Sequence, residues 1–427
     1  MLSLATMGEV IGERIRPALR WPTLRAAGFA HAPSTPQPLA WCAIALRAAL
    51  LWLATRVALA VCGVTAVLFE FAAAGQPQAG HSIHTFIATW QRWDSEWYLP
   101  IAQRGYWSAT QTAFFPLYPL LVHILIVLAN GHVLVAGLLV SNLAALAAFI
   151  GLALVTVSEA GFDAAPHGVR IFAAYPLAFF LAAPYSDSLF VALAVFSLFC
   201  TRRGHWGWSA VCACLASLTH LTAVVLIVPL AWEFARQHDW WRGDGWRAQL
   251  RDPRGMAQLA ALLGAVPAGI LTYMAYLNAR FGKPTTFLSA EHQFWDHQPM
   301  LPWQSLRLAA HTFRTAAPGS YDQMRMLVDY APLALFALLT LCAVRLQPVS
   351  FTLYMLGLLY VCIAAPIPVL QDVYASVSRF LLAAVPIFVL LARWSARRPW
   401  LETLLLGTGF MTQALLLAAY LAGWWII

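Results

Sequence analysis

Four charged side chains fall within a short stretch of a chain that is otherwise 61% hydrophobic and only 10% charged. The four are Arg92, Asp94, Glu96 and Arg104, and aromatic residues lie among them. A carboxylate among apolar and aromatic neighbours can act as a general base, because desolvation raises its pKa toward the working range. Asp94 is therefore the first candidate catalytic residue. Glu96 is either its partner or a solvated charge, and an ion pair of Asp94 with Arg92 or Arg104 is the structural alternative.

Two more ionisable side chains lie in turns that separate apolar segments. Asp187 follows Pro184 and Tyr185 and precedes an apolar run. It can cap a helix, or act as a second acid that orients a nucleophile or binds a sugar hydroxyl. Arg379 opens a predicted helix, where its guanidinium can hold a phosphate through bidentate hydrogen bonds or extend toward the membrane interface.

Histidines offer further candidates. His220 lies alone in an apolar hairpin, where it is either a buried core residue or a functional one. His292, Asp296 and His297 could ligate a metal, but their spacing is not diagnostic, and we predict neither a metal nor a cofactor. The sequence contains no glycine-rich phosphate loop, no P-loop lysine and no serine nucleophile elbow, which argues against nucleotide hydrolysis.

Long apolar runs determine the fold class. Runs of about 20 apolar residues recur along the chain, the length that crosses a bilayer, and continuous runs of this kind form helices in lipid. We predict an all-α polytopic membrane protein with about 11 transmembrane helices. The net charge of +8 is interpreted as basic loops that face the cytoplasm, so we predict no nucleic-acid partner.

The predicted organisation is a mobile basic cytoplasmic arm, 1–38, followed by one membrane domain, 39–427. A first outer loop of interfacial helices, 75–112, and a second long outer loop, 282–330, belong to this domain. Residues 86–103 are predicted as one helix, with Asp94, Trp97, Tyr98 and Ile101 on one face.

The remaining predicted helices determine which candidates face the same side. They are 43–73, 114–128, 133–157, 171–183, 188–200, 208–218, 222–232, 256–276, 331–344, 349–370, 380–391 and 401–427. Whether 113–130 crosses the membrane or re-enters is open. Re-entry fits the positive-inside rule better, and it places Asp94, Asp187 and Arg379 together on the outer side.

Two motifs resemble a known family, and two weaker matches accompany them. The stronger motifs are Arg92-Trp-Asp-Ser-Glu-Trp-Tyr-Leu-Pro-Ile-Ala-Gln-Arg-Gly-Tyr106 and Ala113-Phe-Phe-Pro-Leu-Tyr-Pro-Leu-Leu121. The weaker ones are Ala183-Pro-Tyr-Ser-Asp-Ser-Leu-Phe190 and Ser378-Arg-Phe-Leu-Leu-Ala-Ala-Val-Pro-Ile387. In these residues the chain resembles the PIG-V family, the glycosylphosphatidylinositol mannosyltransferase 2-like proteins of the GT-C membrane glycosyltransferases, over most of 43–391.

The resemblance implies transfer of a hexose, typically mannose, from a polyprenyl-phosphate carrier at the extracytoplasmic face. It puts the family's first-loop aspartate on Asp94 and its second acidic position on Asp187. The chain departs from the family at 220–222, where His-Leu-Thr stands in place of an arginine motif, and at 377–378, where Pro or Met is usual. Donor phosphate would then depend on Arg379 or the outer loop. The composition looks bacterial, which argues against a true glycosylphosphatidylinositol substrate.

From the residues and the resemblance we predict an inverting, metal-independent GT-C hexosyltransferase of the bacterial inner membrane, with an extracytoplasmic active site. It would move mannose from a polyprenyl-phosphate donor to a lipid, glycan or protein acceptor, with Asp94 as general base. A lipid-linked sugar transporter or flippase and an inactive GT-C-fold scaffold are the alternatives. The predicted residues are Asp94, Glu96 and Asp187 for catalysis, Arg379, Arg92, Arg104 and His220 for donor phosphate, and Trp93, Tyr98, Phe115 and Tyr185 for the substrate lining.

Overall fold

Continuous apolar segments satisfy their backbone hydrogen bonds within themselves as helices. The computed structural model describes residues 38–73, 82–241, 243, 245–368 and 372–426, and within these ranges there is no strand. The predicted arm 1–38 lies outside the described residues except for Pro38, and so does the beginning of the first outer loop, up to residue 81.

Helices occupy most of the described chain. The α-helices are α1 (Pro38–Ala73), α2 (Ile83–Ala88), α3 (Ser95–Arg104), α4 (Leu117–Leu125), α5 (Val133–Ala160), α6 (Ala165–Ala173), α7 (Asp187–Arg202), α8 (Trp206–Ser217), α9 (Ile227–Gln237), α10 (Gly245–Arg251), α11 (Pro253–Phe281), α12 (Thr286–Gln293), α13 (Pro302–Thr315), α14 (Tyr321–Ala343), α15 (Val349–Ala364), α16 (Val377–Phe380), α17 (Val385–Ser395) and α18 (Pro399–Leu421). Short 3-10 helices are Ala109–Ala113, Phe162–Ala164, Ala178–Leu181, Leu221–Leu226 and Leu381–Ala383.

Five of the described helices, α1, α5, α11, α14 and α18, are long and apolar enough to cross a membrane. The pair Val377–Ala383 and Val385–Ser395 makes six if it counts as one span, although it bends by 71°. The predicted number of about 11 is not confirmed, because it included short helices. α8 has 12 residues and α9 has 11, which at 1.5 Å per residue gives lengths of about 18 and 17 Å, against a hydrocarbon core of about 30 Å.

The predicted helix 86–103 is wrong, because it is two helices, α2 and α3, separated at 89–94. Trp93 has a φ of 52°, in the left-handed region that a side chain of its size rarely adopts. A right-handed helix cannot continue through this conformation. Asp94 consequently lies just before α3 and not on its face, whereas Tyr98 and Ile101 are buried within it.

Other predicted helices also have different bounds, among them 380–391, which is interrupted at Ala384, and 349–370, which ends at Ala364. Residues 171–183 are not one helix, because α6 ends at Ala173 and a 3-10 helix follows Pro176. Proline disfavours the α conformation of the residue before it. α14 begins well before the predicted residue 331, since the Ser320 side chain accepts a hydrogen bond from Gln323 N–H and caps the helix.

Three elements near Asp94 and Asp187 meet on α5. This helix packs against α7 and also contacts α3 and α4. Gly137 permits the close approach, because a Cβ there would lie 2.8 Å from Leu99 Cδ2 and 3.0 Å from Pro184 Cβ. The Tyr118 hydroxyl of α4 donates to the Gly137 carbonyl at 3.0 Å. α3, α4 and the turn before α7 are therefore fixed against the N-terminal half of α5.

Candidate active site

Arg379 is the centre of the candidate site. Its Nη1 donates to Asp94 Oδ2 at 2.7 Å, and its Nε lies 3.5 Å from Asp187 Oδ1. Three aromatic rings surround the guanidinium with centroids 5.0 to 5.5 Å away, those of Tyr185, Phe380 and Phe180. Two carboxylates and one cation, predicted from three distant segments, therefore meet at one point, with a net charge of −1 when both acids are ionised.

Asp94 is positioned by the backbone that precedes it. The Arg92 carbonyl accepts hydrogen bonds from the Ser95 hydroxyl and from the Tyr185 hydroxyl, both at 2.8 Å. The Arg92 guanidinium points elsewhere, and its Nη2 donates to the Leu421 carbonyl at the end of α18 at 3.0 Å. The Asp94 side chain remains 27% exposed. Its carboxylate is thus fixed in place but open to an incoming group.

Asp187 is the first residue of α7, outside the helices long enough to span, and its side chain is 10% exposed. Burial raises the pKa of Asp187 from 3.8 to about 6; the charge of Arg379 opposes this rise and that of Asp94 adds to it. The neighbouring Ser186 hydroxyl lies 2.7 Å from the Tyr98 hydroxyl, which ties this turn to α3. Asp187 therefore changes protonation close to neutral pH, which is common for residues that take part in catalysis.

The backbone next to Arg379 is fixed through Ser378. The Ser378 N–H and hydroxyl donate to Asp329 Oδ1 at 2.7 and 2.6 Å, and the Ser378 carbonyl accepts from the Tyr175 hydroxyl at 2.7 Å. Neither Asp329 nor Tyr175 was predicted from the sequence. A signal for Asp329 was available, since a carboxylate in an apolar helix usually has a function; none marked Tyr175.

His220 lies on the wall of a space of ≈ 10 Å³ beside Arg379, about the size of one water. Its Nδ1 accepts a hydrogen bond from Thr222 N–H at 3.2 Å, so a neutral imidazole carries its proton on Nε2. Burial lowers the pKa of His220 to about 4, and the charges of Arg379 and His297 add to this effect. A neutral His220 can donate a hydrogen bond to a ligand, but it does not supply the positive charge of an arginine.

The segment 282–330 brings another carboxylate near the site. Glu291 Oε2 lies 3.7 Å from His297 Nε2, and His297 Nδ1 is 3.1 Å from the Ala365 carbonyl. Burial raises the pKa of Glu291; the charge of His297 lowers it and that of Asp94 raises it. Among the described residues, no group of three His, Cys, Asp or Glu side chains could hold a metal ion.

The other predicted residues lie around this cluster. Glu96 and Arg104 are exposed at the two ends of α3, and no ion pair joins them to a residue that the structure describes. Phe115 is buried, with its ring centre 5.0 Å from that of Tyr273. Trp93 is 38% exposed, and its indole lies beside a tryptophan that follows α18.

Residues 44–234 match a family described as Mannosyltransferase (PIG-V). This match confirms the family resemblance, and it covers the three motifs between Arg92 and Phe190; the fourth motif, 378–387, lies outside it. The matched range contains Asp94, Asp187 and His220, whereas Arg379 lies outside it. No curated protein and no solved structure matches the chain. The family match supports glycosyltransferase activity, and the apolar helices indicate an integral membrane protein.

Proposed function

We propose that this chain is a GT-C glycosyltransferase that moves mannose from a polyprenyl-phosphate donor to an acceptor on the extracytoplasmic side of a bacterial inner membrane. The observation that carries the proposal is the meeting of Asp94, Asp187 and Arg379, with Nη1–Oδ2 and Nε–Oδ1 distances of 2.7 and 3.5 Å. Two carboxylates offer proton acceptors and the guanidinium offers a phosphate ligand. The mannosyltransferase family match supports the sugar.

In this proposal Asp94 is the general base. The acceptor hydroxyl gives its proton to the carboxylate as its oxygen bonds to the anomeric carbon of the donor sugar. The bond between that carbon and the phosphate oxygen breaks, and its electron pair stays on the phosphate. Because the new bond forms on the face opposite to the breaking one, the anomeric configuration is inverted. The partial exposure of Asp94 leaves room for an acceptor.

Arg379 stabilises the phosphate that leaves. Its Nε is buried and has no hydrogen-bond acceptor within 3.5 Å at good geometry in the described chain. A phosphate oxygen would supply that acceptor, and a donor fixed in advance in a water-poor site is an effective stabiliser of developing charge. With its pKa raised to about 6, Asp187 can take up a proton at modest cost as a second anion arrives.

The substitution Asp94→Asn tests this role. Asparagine still accepts a hydrogen bond from Arg379 but cannot take the acceptor proton, so kcat should fall by about 100-fold or more. The measurement is mannose transfer and release of free polyprenyl phosphate in membranes supplied with polyprenyl-phosphate-mannose and a lipid extract as acceptor. Undiminished transfer at normal expression would contradict the role of Asp94.

The matched control is Glu70→Gln, which removes an exposed carboxylate near the C-terminus of α1 and should leave mannose transfer unchanged. The wild-type assay also separates enzyme from transporter. A chain that moves intact donor across the bilayer without releasing free polyprenyl phosphate is a transporter, and that result would overturn the proposal as a whole.

A further inference from the structure

A second group of polar side chains without partners lies far from Arg379, between α1 and α5. The nitrogens Nε and Nη1 of Arg56 and Nε1 of Trp52 are buried and have no hydrogen-bond acceptor in the part of the chain that the structure describes. The Arg56 guanidinium lies 5.8 Å from the Trp52 ring centre and 5.9 Å from that of Phe149. A buried guanidinium without a counter-charge is costly, above all inside a membrane helix.

A cavity of ≈ 200 Å³ lies on the same face of α1, because its lining residue Ala48 precedes Trp52 by about one helical turn and Arg56 by about two. It is lined by Ile44, Arg47, Ala48, Leu51, Ala153, Ala165, Pro166, Val169 and Arg170. Helical side chains point back toward the N-terminus of their helix, so those of Arg56 and Trp52 extend toward the turn of α1 that forms the cavity wall. On α5, Phe149 precedes the cavity residue Ala153 by about one turn.

The cations around the cavity outnumber the carboxylates. Arg170 Nε lies 2.8 Å from Glu402 Oε1, and His167 Nδ1 lies 2.8 Å from Glu402 Oε2. Glu402 is thus already shared. Arg47 is exposed, and no carboxylate of the described chain pairs with Arg47 or Arg56. The proposed site combines the apolar walls and Arg47 of the cavity lining with the guanidinium of Arg56 and the indole N–H of Trp52, which follow on the same face of α1.

The cavity is separate from the proposed active site and lies beside an exposed apolar surface of α1. On α5, Ser141 contacts the Tyr185 carbonyl beside Arg379 at 3.3 Å, and Ala153 lies about 18 Å further along the helix. The surface of α1 next to the cavity is apolar and exposed, with Leu46 at 60% and Leu50 at 58%. A molecule with an acyl chain can therefore reach the cavity from the bilayer.

We propose that this cavity binds the phosphate head group of an anionic glycerophospholipid. Arg47 and Arg56 supply the compensating charge, and Trp52 Nε1–H donates a hydrogen bond to a phosphate oxygen. The first carbons of an acyl chain pack on the apolar wall at Leu51 and Ala153. Basic pockets between membrane helices are known to hold such head groups, and the proposal does not rest on the proposed glycosyl transfer.

Native mass spectrometry of the full chain in detergent tests the proposal, with titration by phosphatidylglycerol and by phosphatidylcholine of identical acyl chains. The wild type should retain phosphatidylglycerol more tightly. Arg47 is exposed, so Arg47→Gln should not affect folding. It should weaken phosphatidylglycerol binding about fivefold. Arg56→Gln should weaken it further. The matched control is Arg345→Gln, which removes an exposed arginine after α14 and should bind as the wild type does.

Equal phosphatidylglycerol affinity in the wild type, Arg47→Gln and Arg56→Gln would overturn the site. Equal loss in Arg345→Gln would also overturn it, because it would show a general charge effect. A further titration uses inorganic phosphate as competitor. If phosphate alone displaces the lipid and binds with comparable affinity, the occupant is a soluble anion and the lipid assignment fails. Lipid that inorganic phosphate does not displace supports the assignment.

Discussion

Arg202 and Arg379 each lie between two carboxylates, but the two clusters differ in how completely their hydrogen bonds are satisfied. Arg202 donates through all three of its nitrogens, to Glu159 at 2.7 and 3.0 Å and to Glu233 at 3.0 Å. Arg379 makes one such bond, to Asp94, and its second carboxylate contact is 3.5 Å long. The Arg202 cluster is saturated, whereas the Arg379 cluster still has a donor to offer.

The pKa values of Glu233 and Asp187 also differ between the Arg202 cluster and the Arg379 cluster. Burial alone would raise the pKa of Glu233, but the Arg236 hydrogen bond and the charge of Arg202 bring it below the ordinary value. At Asp187 the effect of burial is larger than the opposing effect of the Arg379 charge, and the pKa is raised to about 6. The saturated cluster therefore has the properties of a structural brace, and the unsaturated one has those of a site for a ligand.

The largest expected difference is in catalysis. Arg379→Gln removes the proposed phosphate ligand, so mannose transfer should fall by about 100-fold or more. Initial rates in membranes at matched expression measure this effect. Arg307→Gln, an exposed arginine of α13, is the control and should transfer at the wild-type rate. Transfer by Arg379→Gln within about threefold of the wild type would show that this cluster is not the active site.

The free energy of unfolding should depend more on Arg202 than on Arg379, which is the reverse of the effect expected on catalysis. Arg202→Gln removes the cation that binds Glu159, which is 9% exposed, and leaves Glu233, which is 1% exposed, with Arg236 alone. The loss should lower the free energy of unfolding by about 3 kcal/mol. Arg379→Gln should cost less, because Asp94 can be solvated. Unfolding of both variants in detergent, followed by intrinsic fluorescence, gives the comparison. Equal losses would remove the distinction between brace and site.

The smallest expected effect depends on pH and concerns Asp187. Folding raises its pKa from 3.8 to about 6, so the folded protein binds this proton more tightly than the unfolded chain does. The resulting stability is complete below pH 3.8 and is lost as pH rises through about 6. The free energy of unfolding of Asp187→Asn minus that of the wild type should therefore be higher at pH 7 than at pH 4, by on the order of 1–3 kcal/mol. A difference that stays constant with pH would contradict the raised pKa.

The meeting of Asp94, Asp187 and Arg379 could be anticipated only in part from the sequence. Their residue types, their places between apolar runs and the family resemblance predicted one outer face. The hydrogen bond from Arg379 to Asp94 joins residues 285 positions apart, and only tertiary packing determines such a contact. The phosphate ligand, the general base and the membrane side remain predictions.

The helix bounds show where sequence patterns alone do not predict where a helix begins or ends. The 3.6-residue periodicity of 86–103 indicated one helix, but the left-handed φ of Trp93 is imposed by surrounding contacts and not by the preference of tryptophan. Pro176 was a readable signal that the prediction of 171–183 ignored. Apolar runs also cannot tell a span from a short helix buried in protein, which is why the runs that form α8 and α9 were counted as crossings.

The hydrogen bonds of Ser378 determine which residue of the site can move when a ligand binds. Its N–H, hydroxyl and carbonyl are all held, by Asp329 and Tyr175, so the chain that carries Arg379 is anchored from behind. Asp94 belongs to a loop and is partly in solvent. If a donor phosphate that binds Nε also draws on Nη1, we expect the Asp94 side chain to shift and the Arg379 backbone to stay. Donor binding would thereby release Asp94 from its ion pair, so that the base becomes free only after the leaving group is in place.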